Sequence, residues 1–190
     1  MAQGLYQHLK SAWKNQNPTE LRERMTQWRS SNATVKLDKP TRLDKARMLG
    51  YKAKKGFIVV RVRLARGGRK RERPSKGRKS RRMSVMKILK MNYRWVAEIR
   101  AQNAFPNLEV LNSYYLAKDG QHYFFEVILI DPERPEIQND PVMNWISDRK
   151  NQGRVYRGLT SAGKKSRGLR SKSPMNPNRP SVRAGKRRGK

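Results

Sequence analysis

The 190-residue chain contains no cysteine, which excludes a disulfide framework and any thiolate metal site. Histidine is nearly as scarce: His8 and His122 stand alone, with no partner at ligand spacing. Incidental surface histidines are expected, with no catalytic residue, no bound metal and no cofactor. Long apolar runs are missing too. No stretch approaches the roughly 18 to 20 apolar residues that cross a bilayer, so a membrane is not an expected partner. The opening MAQGLYQHLKSAWKNQ lacks the continuous apolar segment of a secretory signal, and a cytoplasmic location is the expectation. The last shortage is of negative charge. Asp and Glu number 14 against 46 Lys and Arg, a formal charge of +32. Charge on that scale speaks about partners and solubility, not about fold.

What is present is cation, unevenly placed. RVRLARGGRKRERPSKGRKSRR, residues 61–82, holds twelve Lys or Arg against one acid, Glu72. Residues 98–148 hold nine acids and three bases, whereas 149–190 hold fifteen bases and no acid. The chain is therefore expected to comprise a core over 1–148, interrupted by a basic loop at 66–82, and a basic C-terminal extension over 149–190. A solvated charged face mixes both signs. One-signed tracts of this length repel themselves unless a polyanion runs beside them. The extension, rich in Gly, Ser, Pro, Lys and Arg, offers too little apolar surface to order itself alone.

Periodicity supplies the elements. Leu5, Leu9, Ala12 and Trp13 recur at helical spacing. Asn17, Pro18 and Glu20 open a second helix as a variant capping box, with Leu21, Met25 and Trp28 on one stripe. TRLDKARMLG predicts a short helix capped by Thr41 and stopped by Gly50. Alternation begins at Phe57: Ile58, Val60, Val62 and Leu64 share an apolar face, while Phe57, Val59, Arg61 and Arg63 share one that turns cationic. Val85, Ile88, Leu89, Trp95, Val96 and Ile99 mark a helix within 85–103, its start left open between 82 and 92. Asp119-Gly120 predicts a primed two-residue hairpin turn. That register sets Tyr114 against Phe125 and Leu116 against Tyr123 on the main core face, with the opposite face partly covered at most. Trp145 is expected to dock on the core.

Few groups suggest catalysis. The pairs Glu20/Glu23 and Glu133/Glu136 are explained by helix starts and solvation. GLTSAGKKS sets Gly158, Gly163 and Lys164 at the spacing of a nucleotide-phosphate loop, but Lys165 stands where Ser or Thr must hold magnesium. No small-molecule substrate is expected. The same turn could offer backbone N–H groups to a nucleic-acid phosphate.

The residues expected to meet phosphate fall into three groups. Lys52, Lys54 and Lys55 precede the strand. Arg61 and Arg63 lie at the sheet surface, and Arg66, Gly67, Gly68, Arg69, Lys70, Arg71, Arg73, Lys76, Arg78, Lys79, Arg81 and Arg82 run on from it. The second tract supplies Arg154, Arg157, Ser161, Gly163, Lys164, Lys165, Arg167 and Arg170. Lys and Arg are mixed and punctuated by Tyr156 and Leu159, which suits phosphate contacts with occasional stacking. With no zinc-finger, RRM or helix-turn-helix signature, recognition of RNA shape and phosphate position is favoured. A DNA-neutralising architectural protein and an RNA-modifying enzyme with basic arms are the alternatives.

Five strings in order then resemble one family. PTRLDKARMLGYKAKKG at 40–56, RGGRKR at 66–71, VLNSY at 110–114, FFEVILIDP at 124–132 and RGLTSAGKKSRGL at 157–169 are similar to the archaeal and eukaryotic large-ribosomal-subunit protein fifteen-e family. Residues 72–94 and the final twenty depart from its pattern, and the reading there rests on charge. The resemblance implies a non-enzymatic structural protein held against large-subunit ribosomal RNA, with neighbouring large-subunit ribosomal proteins as further partners. It also implies an α+β core, a small antiparallel sheet packed with helices, plus extended basic arms. The compact length, without eukaryote-like extension, points to an archaeal member.

Overall fold

The computed structural model describes residues 3–68 and 89–170. The predicted helical positions Val85 and Ile88, residues 69–82 of the first basic tract and residues 171–190 lie outside the described residues.

Two helices come first, α1 (Leu5–Lys14) and α2 (Pro18–Ser30). Asn17 caps α2 by accepting from the Thr19 N–H at 3.0 Å, as the sequence predicts. Strand β1 (Thr34–Leu37), helix α3 (Leu43–Met48) and strand β2 (Phe57–Ala65) follow. Helix α4 (Tyr93–Ala104), strands β3 (Glu109–Lys118) and β4 (His122–Ile130), α5 (Pro135–Gln138), two 3₁₀ turns (Asn144–Ser147 and Arg149–Asn151) and α6 (Ser161–Ser166) complete the order. The four strands form one antiparallel sheet, β1-β2-β4-β3. The α+β architecture implied by the resemblance is the one observed. β1 went unread because four residues are too few to show a period of two.

Both faces of the sheet are covered. On one, Val60, Val62 and Leu64 of β2 join Phe125, Val127 and Leu129 of β4 beneath Trp95, Ala97 and Ala101 of α4. On the other, Phe124 and Ile128 meet Tyr114, Leu116 and Ala117 under Trp28 of α2 and Ala46 of α3. The stripe Leu21, Met25 and Trp28 packs here as expected. A smaller cluster of Ile130, Ile137, Met143 and Ile146 closes one end.

Several expectations need correction. The hairpin turns one residue later than predicted: Asp119 N–H donates to the His122 carbonyl at 3.0 Å, leaving Gly120-Gln121 as the loop. The Asp119 carboxylate accepts from the Gln121 and His122 N–H groups, and Gly120 has no positive φ, so the turn is not primed. β3 then slips twice, between Val110 and Asn112 and between Tyr115 and Ala117. Each extra residue reverses which side chains face which way. Tyr114 therefore pairs with Glu126 and lies on the α2 side, whereas Tyr115 pairs with Phe125, their rings 5.9 Å apart. A period-two reading has no means of registering a bulge.

Thr41 does not cap α3. Its N–H donates to the Glu126 carboxylate at 3.1 and 3.2 Å, and Arg42 occupies the cap position. The Gly50 stop is correct: at φ +100°, it lets Gly50 and Tyr51 donate to the Arg47 and Ala46 carbonyls, the αL closure that favours glycine. Helix α4 starts at Tyr93, where the Asn92 side chain accepts from the Trp95 N–H at 2.8 Å. Trp145 is exposed at the surface, and its neighbour Ile146 is the buried anchor. Finally, residues 149–170 pack into the fold. Val155, Thr160 and Ala162 are buried, so the expectation of a chain that leaves the core at 149 fails up to residue 170. Its composition hid this, since a few small apolar residues suffice once a sheet and helix provide the complementary surface.

Candidate nucleic-acid interface

Many of the cations singled out from the sequence are engaged by the fold. Arg61 lies 5.2 Å over the Trp28 ring and donates to Ser31 Oγ at 3.2 Å. Burial pushes its guanidinium pKa down, with Glu126 opposing. Arg63 donates to the Arg29 carbonyl. Arg66 reaches the Asp119 carbonyl at 2.6 Å and covers the Tyr123 ring, clasping the hairpin turn. Lys52 and Lys54 converge on Asp140 at 2.7 and 2.5 Å and, with Lys52 the larger influence, hold its carboxyl well below the usual carboxylate range. Arg154 donates to the Val110 and Leu111 carbonyls and stacks on Trp145. Arg157 binds the Lys150 and Gln152 carbonyls, and Arg167 those of Arg157 and Gly158. These side chains hold protein to protein.

A second set stays at the surface. Lys55, Lys164, Lys165 and Arg170 are exposed, as is Gly68. The α4 N-terminus explains how parts of this set come together. Tyr93 Oη accepts from the Gly67 N–H and donates to the Gly67 carbonyl, both at 2.9 Å, pinning the point where the first basic tract leaves the sheet. One residue earlier, the Asn92 amide donates to the Ala162 carbonyl, and its backbone N–H to Ser166 Oγ, both at 2.9 Å. The exit of the first tract and helix α6 of the second are thus fastened to consecutive residues. Arg94 is near enough to Arg170 for the two charges to repel, although burial is the larger cause of its lowered pKa. Sequence reading missed Asn92, Tyr93 and Arg94 as organisers. An Asn ahead of a helical stripe was the available signal.

The phosphate-loop-like string has a packing explanation. Gly158 has φ +66°, and a Cβ there would lie 3.1 Å from the Trp95 ring. A Cβ on Gly163 would come within 2.7 Å of Gly158 Cα, so the two glycines let backbone pass backbone. Thr160 caps α6 by accepting from the Gly163 N–H at 3.2 Å, which occupies one of the donors the sequence reading assigned to phosphate. Thr160 also donates to buried Glu98 at 2.6 Å, and Ser113 of β3 donates to the same carboxyl at 2.5 Å. Glu98 therefore joins helix, sheet and C-terminal segment. Lys164 and Lys165 remain outward on the far side of this joint.

His8 is exposed and His122 half-buried beside the turn, and among the described residues no group of three or more His, Asp or Glu could hold a metal ion. Among those residues, too, no helix is long and apolar enough to cross a membrane.

Comparison with known proteins matches the sequence to a family. The family model described as Ribosomal L15 matches residues 4–185. The large ribosomal subunit protein eL15 of Methanocella arvoryzae is 47% identical over 196 residues, covering 100% of both chains. That of Thermoplasma volcanium is 50% identical over 186 residues, covering 95% of this chain and 94% of its own. With both relatives matched along nearly their full length and the family model spanning most of the sequence, the chain belongs to the L15e family of ribosomal proteins.

Proposed function

We propose that the chain is a structural, non-enzymatic constituent of the large ribosomal subunit that binds and stabilises large-subunit ribosomal RNA through phosphate contacts. The observation that carries this reading is the joining of two basic tracts at the α4 N-terminus: Gly67 is fastened to Tyr93, and α6, with Lys164 and Lys165, to Asn92. The contact set divides by role. Lys55, Lys164, Lys165 and Arg170, together with Arg69, Lys70, Arg71 and the rest of the tract to Arg82, neutralise phosphate. Arg61, Arg63, Arg66 and Arg154 chiefly hold the surface in shape. Recognition by phosphate position and RNA shape uses such a scaffold without base readout.

Salt titration of binding to a large-subunit RNA fragment tests this. Each phosphate neutralised contributes about 0.7 to 0.9 to the logarithmic slope. Lys164, Lys165 and Arg170 changed together to Gln should lower the slope by about two to three units, and so should Arg69, Lys70 and Arg71 changed together. Arg61→Gln should lower the thermal midpoint and leave the slope nearly unchanged. Slopes equal to wild type in both triple variants would refute the assignment. Equal affinity for duplex DNA at matched salt would favour general polyanion neutralisation instead.

A further inference from the structure

Acidic residues 98–148 are partly consumed inside the fold, since Glu98 and Glu126 are buried and Asp140 holds two lysines. Three of the others gather around a cavity of about 390 Å³ between the start of β3, the loop after β4 and the 3₁₀ turns. Glu109, Glu133 and Asp148 line it with a single cation, Arg149, and Pro132 and Ile146 are among its walls. Asp148 also holds Lys150 at 2.8 Å, and Glu133 is exposed. Glu109 is the decisive member. Only 6% exposed, it accepts from the Gly153 N–H through Oε1 at 2.7 Å, while Oε2 has no hydrogen-bond donor among the described residues. A buried carboxylate oxygen left so is costly. Arg154 is near enough to act on the Glu109 charge but gives its hydrogen bonds to the Val110 and Leu111 carbonyls, so an added cationic donor would complete the pair.

We propose that this cavity receives a lysine or arginine side chain from an extended basic segment of a neighbouring large-subunit protein. The aliphatic stem would lie along Pro132 and Ile146, and the charged head would reach Glu109 and Glu133. RNA is the poorer occupant, because three carboxylates in one cavity repel phosphate. A metal ion is disfavoured too, as no group suited to hold one occurs among the described residues. The inference rests on membership of the large subunit and not on the RNA contacts proposed above.

The test uses large subunits assembled in cells with the full chain carrying Asn107→p-benzoylphenylalanine, a photo-crosslinker at the exposed edge of the cavity. Sedimentation first establishes incorporation, which separates failure of the functional reading from failure of this one. The expected adduct joins position 107 to a Lys- or Arg-rich peptide of another subunit protein. Adding Glu109→Gln should lower its yield by roughly tenfold. Adding Glu133→Gln, at an exposed position that leaves the fold intact, should lower it in the same direction. An adduct to RNA, an adduct to this chain's own residues, no adduct, or a yield indifferent to Glu133→Gln would each overturn the proposal.

Discussion

Glu98 and Glu126 are the residues whose placement most constrains behaviour in solution. Burial pushes both carboxyls up, opposed at Glu98 by hydrogen bonds from Ser113 and Thr160 and at Glu126 by hydrogen bonding to Thr41 and Tyr114. The folded protein then binds these protons more tightly than the unfolded chain does. Stability from this source is fully present below the unfolded glutamate value of about 4.3 and is lost as pH rises through the folded values. Glu98→Gln combined with Glu126→Gln removes the titration. The thermal midpoint of the variant relative to wild type should therefore rise with pH across that window, and a constant difference would show that neither carboxyl titrates upward. Neither role is legible in the sequence. A lone Glu in an apolar stripe reads as a solvent-facing break, and the partners of Glu98, Ser113 and Thr160, lie fifteen and sixty-two residues away.

Among the elements, legibility follows how local each signal is. Asn17-Pro18 opening α2 and Gly50 closing α3 act within one helical turn, and both are readable. The even face of β2 is readable for the same reason, as alternation over nine residues belongs to the strand itself. The register between β3 and β4 is not, because the slips at Leu111 and Leu116 depend on what covers each face. Phe125 survives the error. It remains buried and pairs with Val62 on one side and Tyr115 on the other. Phe125→Ala should cost about 3 to 5 kcal/mol, read by denaturant unfolding of the free protein. A loss below about 1 kcal/mol would mean the sheet interior tolerates the void. Of the candidate interface, charge made the tracts visible. Which cations are spoken for by Trp28, Asp140 or a carbonyl is tertiary information.

For the whole molecule, +32 on 190 residues means that compaction brings like charges together. Exposed charges are screened once the Debye length falls below their spacing, from about 10 Å at 0.1 M salt to about 3 Å at 1 M. The thermal midpoint of the free chain should therefore climb with potassium chloride, even as RNA affinity falls over the same range. A midpoint that declined with salt would place the internal ion pairs, such as Lys52 and Lys54 with Asp140, ahead of self-repulsion. The two opposed responses separate what salt does to the fold from what it does to the complex.

Because Tyr93 grips Gly67 by both its N–H and its carbonyl, the polypeptide between them is closed at its base by the fold itself. Closing a loop costs conformational entropy that grows only logarithmically with length, about 0.6 kcal/mol for each doubling. Insertions or deletions beyond Gly68 therefore leave the sheet and α4 almost undisturbed. The length of this tract can thus change while the base that anchors it stays the same.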